Sequence, residues 1–141
     1  MKKANKLVLY AVTLGVILIT GFFVGAVVNR PMSQEQVDTM TFKADAGELT
    51  ENEWNTTKSL LTSSDPNKII DGLQIAQDLM IHQDEALTIS RGLVNHAHPV
   101  VRSGALIAIY KLGKDKTPAQ AAMTDPDPDV RSIAKIIIAK T

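Results

Sequence analysis

Residues 124–140, TDPDPDVRSIAKIIIAK, decide the fold because they repeat a pattern that also occurs at residues 98–113, HPVVRSGALIAIYKLG. A more divergent copy, LLTSSDPNKIIDGLQIAQDLM, begins at Leu60 and lacks the arginine of the other two. Repeats near 30 residues are typical of stacked helical units. The last two copies match at an offset of 29 residues, pairing Pro99 with Pro128, Val101 with Val130, Arg102 with Arg131, Ser103 with Ser132 and Ala105 with Ala134.

Each repeat unit is predicted to form two helices. The second helix of each unit begins at a proline, which suits the first helical position and directly follows a residue at the N-cap position. Thr50 with Glu53 forms a capping box for the first helix, and Gly113 suits the position just after a helix end. No segment alternates like a strand, so the whole chain is predicted to be helical. The predicted helices of the repeat region are 51–62, 66–82, 84–95, 99–112, 118–123 and 128–140.

The spacing of apolar residues predicts which side of the last helix is buried. Val130, Ile133, Ala134 and Ile137 are expected to face the preceding helices, whereas Ile136 and Ile138 are left toward the outside. Exposed apolar residues of this kind mark protein interfaces or sites of aggregation. Elsewhere the predicted core residues are Trp54, Leu60, Leu61, Leu87, Leu93, Val94, Ile109, Leu112, Met80 and Met123.

The repeats resemble the HEAT-repeat class, in particular the short bacterial variant named after phycobilisome lyases. Asp-Pro at a helix start, then Val-Arg and small aliphatic residues carry the likeness, as in DPDPDVR at 125–131 and HPVVRSGALIAIYKLG at 98–113. The resemblance covers about 90 residues. It implies a short α-solenoid of about three HEAT-like hairpins that binds other macromolecules, with Pro99, Arg102, Asp127, Pro128 and Arg131 as its structural repeat residues.

Residues 7–28, LVLYAVTLGVILITGFFVGAVV, carry no charge and predict a transmembrane helix. At 1.5 Å per residue they would span about 33 Å, enough for the hydrocarbon core of a bilayer. A cleavable secretory signal is the alternative, since VGA at residues 24–26 offers small residues for a signal peptidase. In either case the chain is directed to a membrane.

Charges beside this span predict its orientation. Lys2, Lys3 and Lys6 precede it, so the positive-inside rule places residues 1–6 in the cytoplasm and the C-terminal domain on the extracytoplasmic side. Gly21 and Gly25 lie one turn apart, a spacing that lets a partner's membrane helix approach closely.

Residues 29–48 are mostly polar and are predicted to form a tether between the membrane and the repeat domain at 49–141. A short helix could start in it at Ser33, with Gln36 as capping-box partner and Met32 and Val37 as a hydrophobic staple.

Composition excludes several kinds of chemistry. The chain has no cysteine, which excludes disulfides, thiol catalysis and iron–sulfur clusters. Without the three N-terminal lysines it has 12 basic and 15 acidic residues, a balance that argues against nucleic-acid binding.

Two clusters could bind cations. Asp125, Asp127 and Asp129 alternate like the start of a calcium loop, but that loop needs a glycine and a glutamate where this chain has Val130 and Ile136. His96 and His98 could supply two metal ligands, although only His82 could be a third. No cofactor or metal is therefore expected.

These features together predict a membrane-anchored scaffold or accessory subunit rather than an enzyme. It would bind other subunits of a membrane complex or associate with itself, and Ile136 and Ile138 would lie in the interface. The alternative is a lyase-type or chromophore-handling protein, for which His82, His96 and Arg91 are the available donors.

Overall fold

The computed structural model describes residues 32–140, and this part of the chain contains seven α-helices and no strand. The prediction of an all-helical chain is therefore confirmed over this range. Within the described range, a 3-10 helix, Ala122–Thr124, precedes the last α-helix. The α-helices are α1 Gln34–Ala46, α2 Glu51–Leu61, α3 Pro66–Ala76, α4 Gln83–Leu93, α5 Pro99–Gly113, α6 Thr117–Ala121 and α7 Pro128–Ala139.

The helices pack in two layers. Successive helices pair, with α2 against α3, α4 against α5 and α6 against α7. The second helices of these pairs also pack on one another, α3 on α5 and α5 on α7, and α1 packs on α3. We call α1, α3, α5 and α7 the central row; α1 and α7 lie at its two ends.

The four helices of the central row run parallel, as contacts near their ends show. The N–H of Met80, just after α3, donates to the Ala44 carbonyl near the end of α1 at 3.1 Å. Lys111, near the end of α5, pairs with Asp78, just after α3, at 2.6 Å. Lys140, after α7, lies over the ring of Tyr110, near the end of α5.

The core lies between the two layers. Trp54, Leu61, Ile75 and Ile109 are among its largest fully buried side chains. The side of α7 that was predicted to face the preceding helices is buried, as expected. It consists of Val130, Ile133, Ala134 and Ile137. Leu60 is buried too, and Leu87, Leu93, Val94 and Leu112 are half-buried.

Residues 34–46 are part of this packed domain, which differs from the tether predicted for residues 29–48. The capping box of Ser33 with Gln36 is present, with Ser33 Oγ 3.2 Å from the Gln36 N–H. Val37 and Ala44 are completely buried because α1 packs on α3, and Met32 packs against the same core. Local signals predicted this helix, but its docking on α3 needed tertiary contacts.

Four local predictions are wrong. The helix predicted over 66–82 ends at Ala76, and the turn that follows buries Leu79 and exposes Met80, which is 61% exposed. Met123 is likewise 37% exposed rather than in the core. Gly113 is the last residue of α5, and Lys114 takes the left-handed cap with φ 54°. A side chain at residue 113 would lie 3.3 Å from Leu87, so glycine there makes room for α4.

Within residues 32–140, no helix is long and apolar enough to cross a membrane. The predicted span at 7–28 lies outside the described residues, together with Gly21 and Gly25.

Candidate protein-docking surface

The loops that lead into α3, α5 and α7 share one backbone geometry. In each loop a side chain accepts a hydrogen bond from the backbone N–H of the residue two positions later. That residue directly precedes the proline. Ser63 accepts at 3.1 Å, His96 at 3.0 Å through Nδ1, and Asp125 at 2.9 Å. Three different residue types therefore build the same turn, and it positions the start of each helix in the central row.

Both repeat arginines hold these loops. Arg102 Nη1 donates to the carbonyls of His96 and Ala97 at 2.9 and 3.1 Å, and Arg131 Nη1 donates to those of Asp125 and Pro126 at 2.6 and 3.0 Å. The accepting carbonyls stand six and five residues before each arginine, so the contacts repeat with the sequence offset. The arginines thus supply donors to loop carbonyls that have no partner within a helix.

Arg102 also joins two neighbouring loops. Its Nε and Nη2 donate to the two carboxylate oxygens of Asp125 at 2.8 and 2.7 Å, a bidentate pair. These hydrogen bonds lower the pKa of the Asp125 carboxyl below its ordinary value. Since Asp127 caps α7 by accepting from the Asp129 and Val130 N–H groups, two of the three alternating aspartates serve the fold.

The polar residues weighed as metal ligands or ligand donors lie in separate local contacts. His82 stacks on Trp54 with ring centroids 5.1 Å apart, Arg91 pairs with Asp115 at 3.1 Å, and His96 completes the turn described above. No hydrogen bond, ion pair or ring contact joins these three residues. Among residues 32–140, no group of three or more histidine, aspartate or glutamate side chains could hold a metal ion.

The outer face of α7 forms one end of the central row. Ile136 lies on it and is 46% exposed, whereas Ile138 is half-buried and packs against the core around α5. Ser132, Lys135 and Ala139 are exposed beside Ile136. We call Ser132, Lys135, Ile136 and Ala139 the α7 edge.

The end of α7 is held firmly against α5 and α6. Lys116 Nζ donates to the Ile138 carbonyl at 3.2 Å and to the Lys140 carbonyl, which satisfies acceptors that a helix end leaves open. Two ammonium groups contact the Tyr110 ring, with Lys114 Nζ 5.4 Å and Lys140 Nζ 5.7 Å from its centroid. The α7 edge therefore lies on a regular helix whose end is hydrogen-bonded to Lys116.

The outer face of α1 forms the other end of the row. Phe42 is 69% exposed, the largest exposure among the large hydrophobic residues of the described chain. It lies opposite the buried Val37 and Ala44, with Glu35, Asp38 and Asp45 also exposed. We call Glu35, Asp38, Phe42 and Asp45 the α1 edge. The spacing of Val37 and Ala44 predicts this outer face once residues 34–46 form a helix that packs on the domain.

The two halves of the described chain carry opposite net charge. Residues 32–90 have three basic and eleven acidic residues, a net charge of −8, and residues 91–140 have eight basic and four acidic residues, a net charge of +4. Among the described residues, Glu35, Asp45, Lys135 and Lys140 make no ion pair. Glu35 and Asp45 on the α1 edge and Lys135 on the α7 edge therefore carry charges that no ion pair balances, whereas the Lys140 ammonium lies over the Tyr110 ring.

Comparisons with protein-family models, with curated proteins and with solved structures find no match to this chain.

Proposed function

We propose that this chain is a single-pass membrane protein whose C-terminal domain is a short α-solenoid of HEAT-like hairpins. It acts as a scaffold or accessory subunit by docking a protein partner. The parallel central row and the loop geometry that recurs before α3, α5 and α7 support the repeat assignment. The uncharged residues 7–28 support the anchor, with the N-terminus in the cytoplasm and the domain on the other side.

One observation carries the docking role: Ile136 is 46% exposed on the helix that ends the central row. A terminal repeat of a solenoid normally has a polar outer face, because no further repeat covers it. The α7 edge instead combines Ile136 and Ala139 with Ser132 and Lys135. A partner would cover the apolar residues and leave Lys135 at the rim. Gly21 and Gly25 would pack against the partner's membrane helix.

Substituting Ile136 tests this function. Ile136→Glu places a charge on the α7 edge without touching the core, so the domain stays folded while complex formation falls several-fold. Extraction of native membranes in mild detergent, followed by quantification of co-purified proteins, measures the effect. Thr88→Glu is the matched control, because Thr88 is exposed on α4 in the other layer.

Equal recovery of partners by the wild-type chain and Ile136→Glu would contradict the docking role. Trp54 is the single tryptophan and is 1% exposed, so its fluorescence reports whether either variant remains folded.

A further inference from the structure

We propose that the α7 edge binds the α1 edge of a second copy of this chain, so that copies associate head to tail. This inference rests on the proposed function, since it names the occupant of the same α7 edge. The association is heterologous, because different surfaces of the two copies meet, and it can therefore continue beyond a dimer.

The central row supplies the geometry. Its four helices are parallel neighbours, and both end helices present a regular outer face. The α1 helix of a second copy, placed beside α7 in the same direction, becomes the next member of the row. Adding it repeats the packing that α3, α5 and α7 already use within one chain.

Charge complementarity selects this occupant. The α1 edge contributes Glu35, Asp38 and Asp45, whereas the α7 edge contributes Lys135. In parallel helices Lys135 lies between the levels of Asp38 and Asp45. Opposite charges on meeting surfaces fix orientation and suppress wrong pairings, so two α7 edges or two α1 edges would repel each other.

Each edge also presents one large apolar side chain. Phe42 is 69% exposed and Ile136 is 46% exposed. Both lie past the middle of their helices, so a parallel arrangement brings them close to one level. Their burial against each other would provide the apolar centre that a protein interface needs, with the charged residues at its rim.

Cross-linking tests the arrangement cleanly because the natural chain has no cysteine. Thr39→Cys and Ser132→Cys place one thiol on each outer face, at the sixth residue of α1 and the fifth residue of α7, while keeping Phe42 and Ile136. The full-length chains carry different epitope tags and are mixed in mild detergent with a short bismaleimide. The mixture is expected to yield covalent dimers several-fold more efficiently than either variant alone.

Charge reversal makes the test specific. Lys135→Glu in the Ser132→Cys chain is expected to lower the cross-linking yield several-fold, and Asp38→Lys in the Thr39→Cys chain to restore it. Salt at 1 M should also lower the yield, because the screening length falls to about 3 Å. A Thr88→Cys chain, with its thiol on α4, should cross-link to neither variant.

If Ser132→Cys alone gave the same yield of covalent dimers as the mixture, the contact would be symmetric and the inference would be overturned. The absence of any cross-link in the mixture would also overturn it. Maleimide labelling in native membranes separates this failure from that of the proposed function. If Ser132→Cys is protected there but does not cross-link to Thr39→Cys, a different protein covers the α7 edge. The docking role then stands and head-to-tail association falls.

Discussion

Arg102 shows how one side chain can hold two units of the domain together. It donates to two carbonyls of its own loop and to both carboxylate oxygens of Asp125 in the next loop. Its side chain is 13% exposed and that of Asp125 is 10% exposed, so water screens the pair weakly. A planar guanidinium is needed because an ammonium group cannot make the same bidentate contact.

Arg102→Lys is therefore expected to destabilise the domain although it keeps the charge. The loss of the bidentate contact and of a loop contact should cost roughly 1.5–3 kcal/mol. Urea unfolding followed by Trp54 fluorescence measures it. Arg91→Lys is the control, since Arg91 is 54% exposed and its pair with Asp115 should contribute less than about 1 kcal/mol. Equal effects of the two variants would contradict the structural role of Arg102.

Lys43 and Glu53 link α1 to α2 at the level of single residues. Lys43 Nζ lies 2.5 Å from Glu53 Oε1, and this hydrogen bond, with those from Thr50, lowers the pKa of the Glu53 carboxyl from 4.5 to about 2. Because the pKa is lower in the folded state, the contact stabilises the fold above pH 4.5 and is lost as the pH falls toward 2.

Glu53→Gln should consequently lower the free energy of unfolding at pH 7, by no more than about 1 kcal/mol because the pair is partly solvated. The difference from the wild-type chain should shrink below pH 4.5 and vanish near pH 2. Urea titrations from pH 2 to 7, followed by Trp54 fluorescence, test this. Glu48→Gln, which removes an exposed carboxylate without an ion pair, should show no such trend. A pH-independent effect of Glu53→Gln would contradict the ion-pair account.

At the scale of elements, close approach of helices depends on particular glycines. A Cβ atom on Gly72 in α3 would lie 2.9 Å from the Leu61 backbone nitrogen and 3.0 Å from the Leu60 side chain in α2. Because the nearest atom belongs to the Leu61 backbone, it cannot move aside as the end of a flexible side chain could. By contrast, a Cβ atom on Gly92 in α4 would meet no atom within 4 Å.

The two glycines form a matched pair for mutation. Gly72→Ala should destabilise the domain by about 1–3 kcal/mol, because it forces α2 and α3 apart. Gly92→Ala should stabilise it slightly, by about 0.5 kcal/mol, since alanine favours the helix and the site has space. Thermal unfolding followed by Trp54 fluorescence measures both. Similar shifts for the two variants would show that α2 and α3 do not pack as closely as described.

Helix starts were predictable from sequence because their signals are local. Capping boxes at Ser33 and Thr50 and Asp-Pro before α3 and α7 all lie at observed helix starts. Features set by distant parts of the chain were not predictable. Met80 follows a turn that is tied to α1, and the left-handed conformation of Lys114 comes after a helix that Gly113 extends.

The candidate surface was only half predictable for the same reason. Ile136 follows from the spacing within one helix, and the structure places it on the exposed face of α7. Phe42 is informative only once α1 is known to pack on α3, because its position opposite Val37 then makes it an outer residue of the domain. The charge difference between the two halves of the chain can be counted from the sequence. Only the structure places the acidic α1 edge and Lys135 of the α7 edge at opposite ends of the central row.

For the whole molecule, the central claim is that another protein chain covers the α7 edge when the protein is in its native membrane, with the domain outside the bilayer. Ser132→Cys places a thiol on this edge with a nearly isosteric change. Thr88→Cys places a thiol at an exposed position of α4. Maleimide labelling of isolated native membranes, before and after detergent dissociation of complexes, compares the two thiols. The account predicts that Cys at position 132 reacts slowly until dissociation, whereas Cys at position 88 reacts rapidly throughout. Equally rapid reaction of both thiols in intact membranes would contradict it.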